Sequence, residues 1–303
     1  MALDYFRCDM TILGNPVEVS LETILFATDF SSSAQTATLY VQALAERYRS
    51  RVRLMHVVDL AAAFKAPDAG LSIDIFRRIG EESLSRLQSE LLAEKIRVEA
   101  VLCEATDPAT EILHAAQDGS TDLLVIGTRG HKGLARLVLG STAEELIHQA
   151  KCPILTIGPE VPPPKQPVNF QRIVYATDFS PEAANACVFA LSFAQDFGAH
   201  LYLCHVLPEP AGVHQMDDHE LNARFTSALQ RLVPDMAREW CEPECVLEHG
   251  FAADGILLLA QRVKADLIVV GTRKTSHWFD NFKTGVAFQV ISSSHCPVLT
   301  IRA

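Results

Sequence analysis

Gly127-T-R-Gly130, nine residues, and then Gly140-Ser141-Thr142 form the pattern in this chain best suited to chemistry. Glycine lets main-chain N–H groups come close to an anion, and the free N–H groups at a helix start favour negative charge. Gly140 and Ser141 fall where a helix reading S-T-A-E-E-L-I should begin. Ser141 is therefore expected both to cap that helix and to donate to a phosphate oxygen. Arg129, His131, Lys132 and Arg136 add cations and donors to the same stretch. An isolated pair of glycines would more simply make turns. Here the spacing, the Gly-Ser-Thr that follows and the apolar L-L-V-I that precedes all favour a phosphate cradle. The P-loop pattern G-x-x-x-x-G-K-[ST] and the dinucleotide pattern G-x-G-x-x-G are both absent.

Asp29 ends an apolar run, at the carboxyl edge where open α/β sheets bind ligands. Its carboxylate can accept ribose hydroxyls or an adenine amino group; equally, it can hold a turn for the chain entering Ser31. Val57 is placed to line an adenine slot, while His56 reads as a satisfied core histidine. No G-x-S-x-G elbow occurs, and neither His56 nor His205 has an identifiable serine or cysteine partner. His131 is the one group near the cradle able to act on water, so any hydrolysis of a bound phosphate ester or anhydride should be slow. Cys241-E-P-E-Cys245, with His214, His219 and His249 nearby, has a gap found in zinc sites. No second pair completes it, and no metal ligand set is expected.

The elements that must position these residues occur twice. Residues 23–31 read T-I-L-F-A-T-D-F-S and residues 172–180 read R-I-V-Y-A-T-D-F-S. Asp122-L-L-V-I-G-T-Arg129 returns as Asp266-L-I-V-V-G-T-Arg273, and Cys152-P-I-L-T-I returns as Cys296-P-V-L-T-I. One sequence offset relates Asp29 to Asp178 and His56 to His205; the later pairs share an offset five residues shorter. This is a duplicated domain. Short β-rich runs alternate with helical patterns, which predicts a parallel sheet covered by helices. Strands are expected near 22–28, 52–58, 97–103, 122–127 and 153–157, and again near 172–177, 200–207, 244–249, 266–271 and 297–301. Continuous runs such as L-L-V-I fit strands buried on both faces. The first helix should start at Ser31 or Ser32 and bury Ala37, Val41, Leu44 and Tyr48; its twin should use Ser180 as cap and Pro181 as first helical residue. A second helix carries Leu84, Leu87 and Leu91, and its twin Leu221, Phe225, Leu229 and Leu232.

At 303 residues the chain suits two domains of ordinary size. Its 49% hydrophobic and 21% charged residues describe a globular protein. A net charge of −11 argues against nucleic acid as a partner. No leader pattern and no membrane-spanning apolar run stand out, and eight scattered cysteines suit a reducing cytoplasm. Cys152 and Cys296 read as small buried hydrophobes.

On these residues the chain resembles a tandem universal stress protein, over both repeats. The nucleotide signature of that family, G-x2-G-x9-G-[ST], is met by Gly127, Gly130, Gly140 and Ser141. The resemblance implies an α/β fold: two tandem Rossmann-like domains of the adenine nucleotide alpha hydrolase-like kind. Each would be a five-stranded parallel sheet in order 3-2-1-4-5 flanked by helices, with ATP and Mg2+ at the carboxyl edge. Carried over to this chain, the expected nucleotide-binding residues are Thr28, Asp29, Val57, Gly127, Arg129, Gly130, His131, Gly140, Ser141 and Thr142. Residues 1–20 would be a tail, 21–158 the first domain, 159–170 a stiff proline-rich linker and 171–303 the second domain. By the same analogy Cys152–Ile157 and Cys296–Ile301 would pair the two domains as an internal pseudo-dimer, with a homodimer of chains left open.

The second copy departs from the signature. Lys274 replaces its second glycine, Thr284 stands at the third position by count, and Gly285 comes one place late. The bulky loop T-S-H-W-F-D-N-F-K includes Trp278. The second domain is therefore not expected to bind ATP in the family manner. Three functions compete: a nucleotide-responsive stress regulator first, then a slow ATPase, then an adaptor in which ATP only supports the fold. The protein partners are not specified.

Overall fold

The computed structural model describes residues 19–61, 73–117, 120–128, 139–165, 167–209, 218–272 and 285–302. Two compact units divide the chain: Ser20–Val168, and Asn169 onward together with Val19. The first unit runs β1 (Thr23–Ala27), α1 (Ser32–Tyr48), β2 (Arg51–Asp59), α2 (Ile73–Ala93), β3 (Arg97–Ala105), α3 (Pro108–Gln117), β4 (Leu123–Gly127), α4 (Ser141–Gln149) and β5 (Ile154–Ile157). Its strands lie in the order β3-β2-β1-β4-β5, and the pairings are parallel. The second unit runs β6 (Arg172–Ala176), α5 (Pro181–Phe197), β7 (His200–Leu207), α6 (Asp218–Arg231), a short 3-10 turn (Asp235–Glu239), β8 (Pro243–His249), α7 (Ala252–Val263), β9 (Leu267–Thr272), α8 (Val286–Ser293) and β10 (Val298–Arg302). Its order, β8-β7-β6-β9-β10, is the same topology. The α/β fold and the parallel order 3-2-1-4-5 agree with expectation.

Parallel strands need crossovers, and right-handed crossovers put helices on both faces of each sheet. That is why β1 and the L-L-V-I of β4 are apolar on both sides and buried throughout. Each fully buried Leu or Phe in them contributes roughly 2 kcal/mol of burial. Edge strand β3 is only half-buried and alternates more. Three of the four residues of the predicted α1 stripe, Ala37, Val41 and Leu44, are completely buried, while Tyr48 in the last turn is half-buried.

Each unit anchors the amino ends of its strands with an aspartate. Asp122 Oδ2 accepts from Thr23 N–H at 2.8 Å. Asp266 Oδ2 accepts from Gln171 N–H at 3.1 Å and from Arg172 N–H at 2.9 Å. Val19 belongs with the second unit, where its N–H donates to the buried Ser192 Oγ at 3.1 Å.

One core position separates the copies in kind. Where β1 carries Phe26, β6 carries Tyr175, fully buried, with its hydroxyl donating to Ala183 O at 2.6 Å. Burial pushes the Tyr175 phenol well above its ordinary value. Tyr175→Phe should cost the second unit about 1 kcal/mol, read as a lower urea midpoint at unchanged slope.

Candidate functional site

The carboxyl edge of the first unit is built by one turn, two strand ends and one helix start. The turn is A-T-D-F-S. Thr28 Oγ1 accepts from Phe30 N–H at 3.1 Å, and Asp29 Oδ1 accepts from Ser31 N–H at 2.9 Å. Ser31, not Ser32, caps α1, its Oγ accepting from Ala34 N–H at 3.3 Å. Between them Phe30 sits at φ 58, a left-handed conformation that costs a non-glycine residue roughly 1 kcal/mol or more. The two side-chain bonds hold it there, and its ring packs on His56 with centroids 4.7 Å apart. His56 Nδ1–H in turn donates to Thr28 O at 2.8 Å. His56 is thus a bonded, half-buried scaffold residue, as its position predicted.

The second unit repeats this turn bond for bond. Thr177 Oγ1 accepts from Phe179 N–H at 2.9 Å, Asp178 Oδ1 accepts from Ser180 N–H at 3.0 Å, and Phe179 sits at φ 59. His205 Nδ1–H donates to Thr177 O at 2.7 Å. The turn role left open for Asp29 therefore exists and accounts for Asp178 without a ligand.

Gly127 ends β4 against the start of α1. A Cβ there would lie 2.4 Å from Ala34 N and 2.6 Å from Ser33 C, so only glycine permits the approach. Gly271 meets Ala183 N and Glu182 C at 2.6 Å in the same way. This glycine brings strand and helix together in both copies. Gly140 is different: a Cβ would meet nothing within 4 Å. It is the N-cap of α4, at φ −61 and ψ 146, with no side-chain cap. The expected capping role of Ser141 is thereby corrected. Ser141 is the first helical residue and lies exposed, while Gly140 takes the cap position and offers the helix N–H groups no side-chain bond.

The late glycine of the second copy caps a shorter helix. Gly285 caps α8 at φ −66 and ψ 145, again without a side-chain bond. The distance in sequence from Gly127 to the Ala150 C-cap equals that from Gly271 to the Ser294 C-cap, so α8 begins one residue later than α4, with 8 residues against 9. What the second copy lacks at this helix start is the hydroxyl, because α8 opens on Val286 where α4 opens on Ser141.

Thr28, Asp29, Val57, Gly127, Gly140, Ser141 and Thr142 thus all lie at strand ends or at the helix start on one edge of one sheet. Val57 is half-buried on β2, in register with Cys103. Arg129, Gly130 and His131 lie outside the described residues, as do Lys132, Arg136, Lys274, Trp278, Thr284 and His214. Among the described residues no three His, Cys, Asp or Glu side chains are placed to hold a metal ion. A cleft of about 700 Å³ opens at the opposite edge, in the second unit, beside Arg172, Asp266 and His295.

Titration bears on the scaffold rather than on catalysis. Burial pushes the Cys152 thiol up to about 11 and the Cys296 thiol up to about 12; Cys296 is buried as a small apolar filler should be, while Cys152 is half-buried. Burial also pushes His205 below its ordinary value, against the opposing pull of its bond to Thr177 O and of Asp178. Its ring stacks on Phe225 at 4.8 Å. The folded state therefore prefers neutral His205, and the unfolded chain takes up the proton first. Stability of the second unit should be full above pH ~6.5 and decline as pH falls through that value toward the lower folded one. A series of thermal melts from neutral to acid pH checks this, and His205→Gln should flatten the decline.

A duplicated α/β protein with parallel sheets and a glycine-capped helix at the carboxyl edge defines the class. Residues 20–158 and 169–302 each match the model of the universal stress protein family, and the chain belongs to that family. A universal stress protein of Methanocaldococcus jannaschii is 29% identical over 160 residues, covering 52% of this chain and 92% of that protein. One from Mycolicibacterium smegmatis is 22% identical over 298 residues, covering 92% of this chain and 96% of its own length. The solved structure of a universal stress protein from Archaeoglobus fulgidus superposes with a TM-score of 0.71 at 22% identity, covering 93% of this chain and 98% of that one, and has the same fold. No helix among the described residues is long and apolar enough to cross a membrane.

Proposed function

We propose that this chain is a nucleotide-responsive stress regulator that holds ATP, with Mg2+ as counter-ion, in residues 21–158 and not in residues 171–303. The observation that carries this reading is Gly140. It starts α4 with no side-chain cap and with open space where a Cβ would stand. A helix start without a side-chain cap suits an anion, and the residues present fit a polyphosphate. Gly140, Ser141 and Thr142 would hold phosphates, joined by Gly130; Thr28, Asp29, Val57 and Gly127 would border the nucleoside. Arg129 and His131 would add positive charge and hydrogen bonds. Bound ATP supplies negative charge and a base whose contacts can favour one state of the chain over another, which a regulator requires. In the second unit Val286 offers no hydroxyl and Lys274 replaces a cradle glycine, which supports its exclusion.

Binding rather than turnover is proposed, because the sequence offers only His131 against a γ-phosphate. Pairing of the two domains through their last strands, and a cytoplasmic setting, belong to the same proposal on the strength of the family resemblance. Native mass spectrometry of the chain purified without added nucleotide, then titrated with ATP and Mg2+, tests it. One nucleotide per chain is expected. Two per chain, or none at saturating ATP, would reject it.

A further inference from the structure

The outward side of α7 and α8 differs from its counterpart in the first unit in one consistent way. Asp107 caps α3, its Oδ1 accepting from Ala109 N–H at 3.2 Å and its Oδ2 from the Thr110 hydroxyl at 2.6 Å. Phe251 holds the same place before α7, makes no side-chain cap and is 83% exposed. Two turns further on, Leu258 is 59% exposed where α3 carries His114. On the helix packed against α7, Val286 is 41% exposed and matches Thr142 by the same offset that relates Phe251 to Asp107. Polar residues at three matched positions have become apolar, on two helices that pack against each other. A helix that gives up its capping aspartate for an exposed phenylalanine loses on both counts as a solvated surface. Clustered apolar exposure of this kind marks an interaction site.

The cleft at the amino edge continues the face. Leu258 belongs to both, and Leu257 and Gln261 line the cleft from α7 while Ser293 lines it from α8. We propose that this face docks a basic amphipathic helix of a partner protein. Phe251 and Leu258 lie seven residues apart, about 10 Å along the helix, the spacing at which a docked helix presents its apolar anchors. Asp254 is exposed on the same stripe between them. The partner must therefore set a lysine or arginine between its own anchors, since an acidic residue there would be repelled. A net charge of −11 draws such a cation in from a distance. At the far end, Lys264 on the cleft meets the partial negative charge of a helix carboxyl terminus, which orients the partner parallel to α7. This surface is independent of the nucleotide reading and stands if that reading fails.

The test titrates the full chain with a fluorescent, end-capped peptide of leucine and lysine, its leucines at i, i+3, i+7 and i+10. The triple substitution Phe251→Asp, Leu258→His, Val286→Thr restores the residues of the first unit and should weaken binding by roughly tenfold or more. Asp254→Lys, a single exposed change, should weaken the lysine peptide and admit a leucine–glutamate peptide that the wild type refuses. It keeps the test decisive if the triple variant melts early. Equal binding by wild type and Asp254→Lys, or by wild type and a folded triple variant, overturns the proposal. Two other occupants would also overturn it. A second copy would show as a concentration-dependent doubling of mass that the triple variant abolishes. The chain's own residues would show as α7 amides protected in dilute wild type and released in the triple variant.

Discussion

Gly127→Ala should destabilise the first unit by about 3 kcal/mol or more, lowering its melting temperature by roughly 10 °C. The added methyl would stand 2.4 Å from Ala34 N, and the obstacle is main chain, which cannot swing aside. That same N–H is the donor to the Ser31 cap, so the shift that relieves the clash also breaks the cap. Gly271→Ala should do the same to the second unit, through Ala183 N and the Ser180 cap. Calorimetry of the two single variants should show one transition displaced in each, and a different one. Equal melting of wild type and both variants would mean that the helix starts are not packed as described.

Gly140→Ala should leave the melting temperature nearly unchanged and weaken ATP binding by roughly tenfold or more, about 1.4 kcal/mol per factor of ten. Its methyl meets no protein atom, and alanine at an N-cap is worse than glycine by only about 1 kcal/mol. On the proposed reading, the space it fills is the space a phosphate needs. Titration calorimetry with ATP on the wild type and this variant separates the two contributions that the motif merges. A stability loss comparable to that of Gly127→Ala would make Gly140 a packing residue. Unchanged affinity at unchanged stability would place the triphosphate elsewhere.

Much of the scaffold was legible because local chemistry and global fold agree in it. Ser180-Pro181 announced a helix start, and Ser180 Oγ accepts from Ala183 N–H as such a cap should. The α1 stripe followed from helical spacing alone. Strand ends were less legible: β2 and β3 stay paired through Val58–Glu104 and Asp59–Ala105, beyond the apolar runs that mark their centres. The left-handed Phe30 was invisible, since the usual markers of positive φ are glycine and asparagine. Here Thr28 and Asp29 impose it from outside the residue. At the cradle, counting along the chain places one feature and misplaces another. Gly285 comes one place late, as counted, because α8 begins one residue later than α4 and is one residue shorter. Ser141 was assigned the cap because serine is a common N-cap, but the preceding glycine already supplies the extended backbone that position needs.

The close approach at Gly127 and Gly271 also bears on how a duplicated gene ages. A copy released from its ligand is free to fill its phosphate loop with bulk, yet it cannot surrender the glycine that lets strand and helix touch. Relics of lost nucleotide sites in this architecture should keep their first glycine longest. A search for vanished function should weigh the later ones instead.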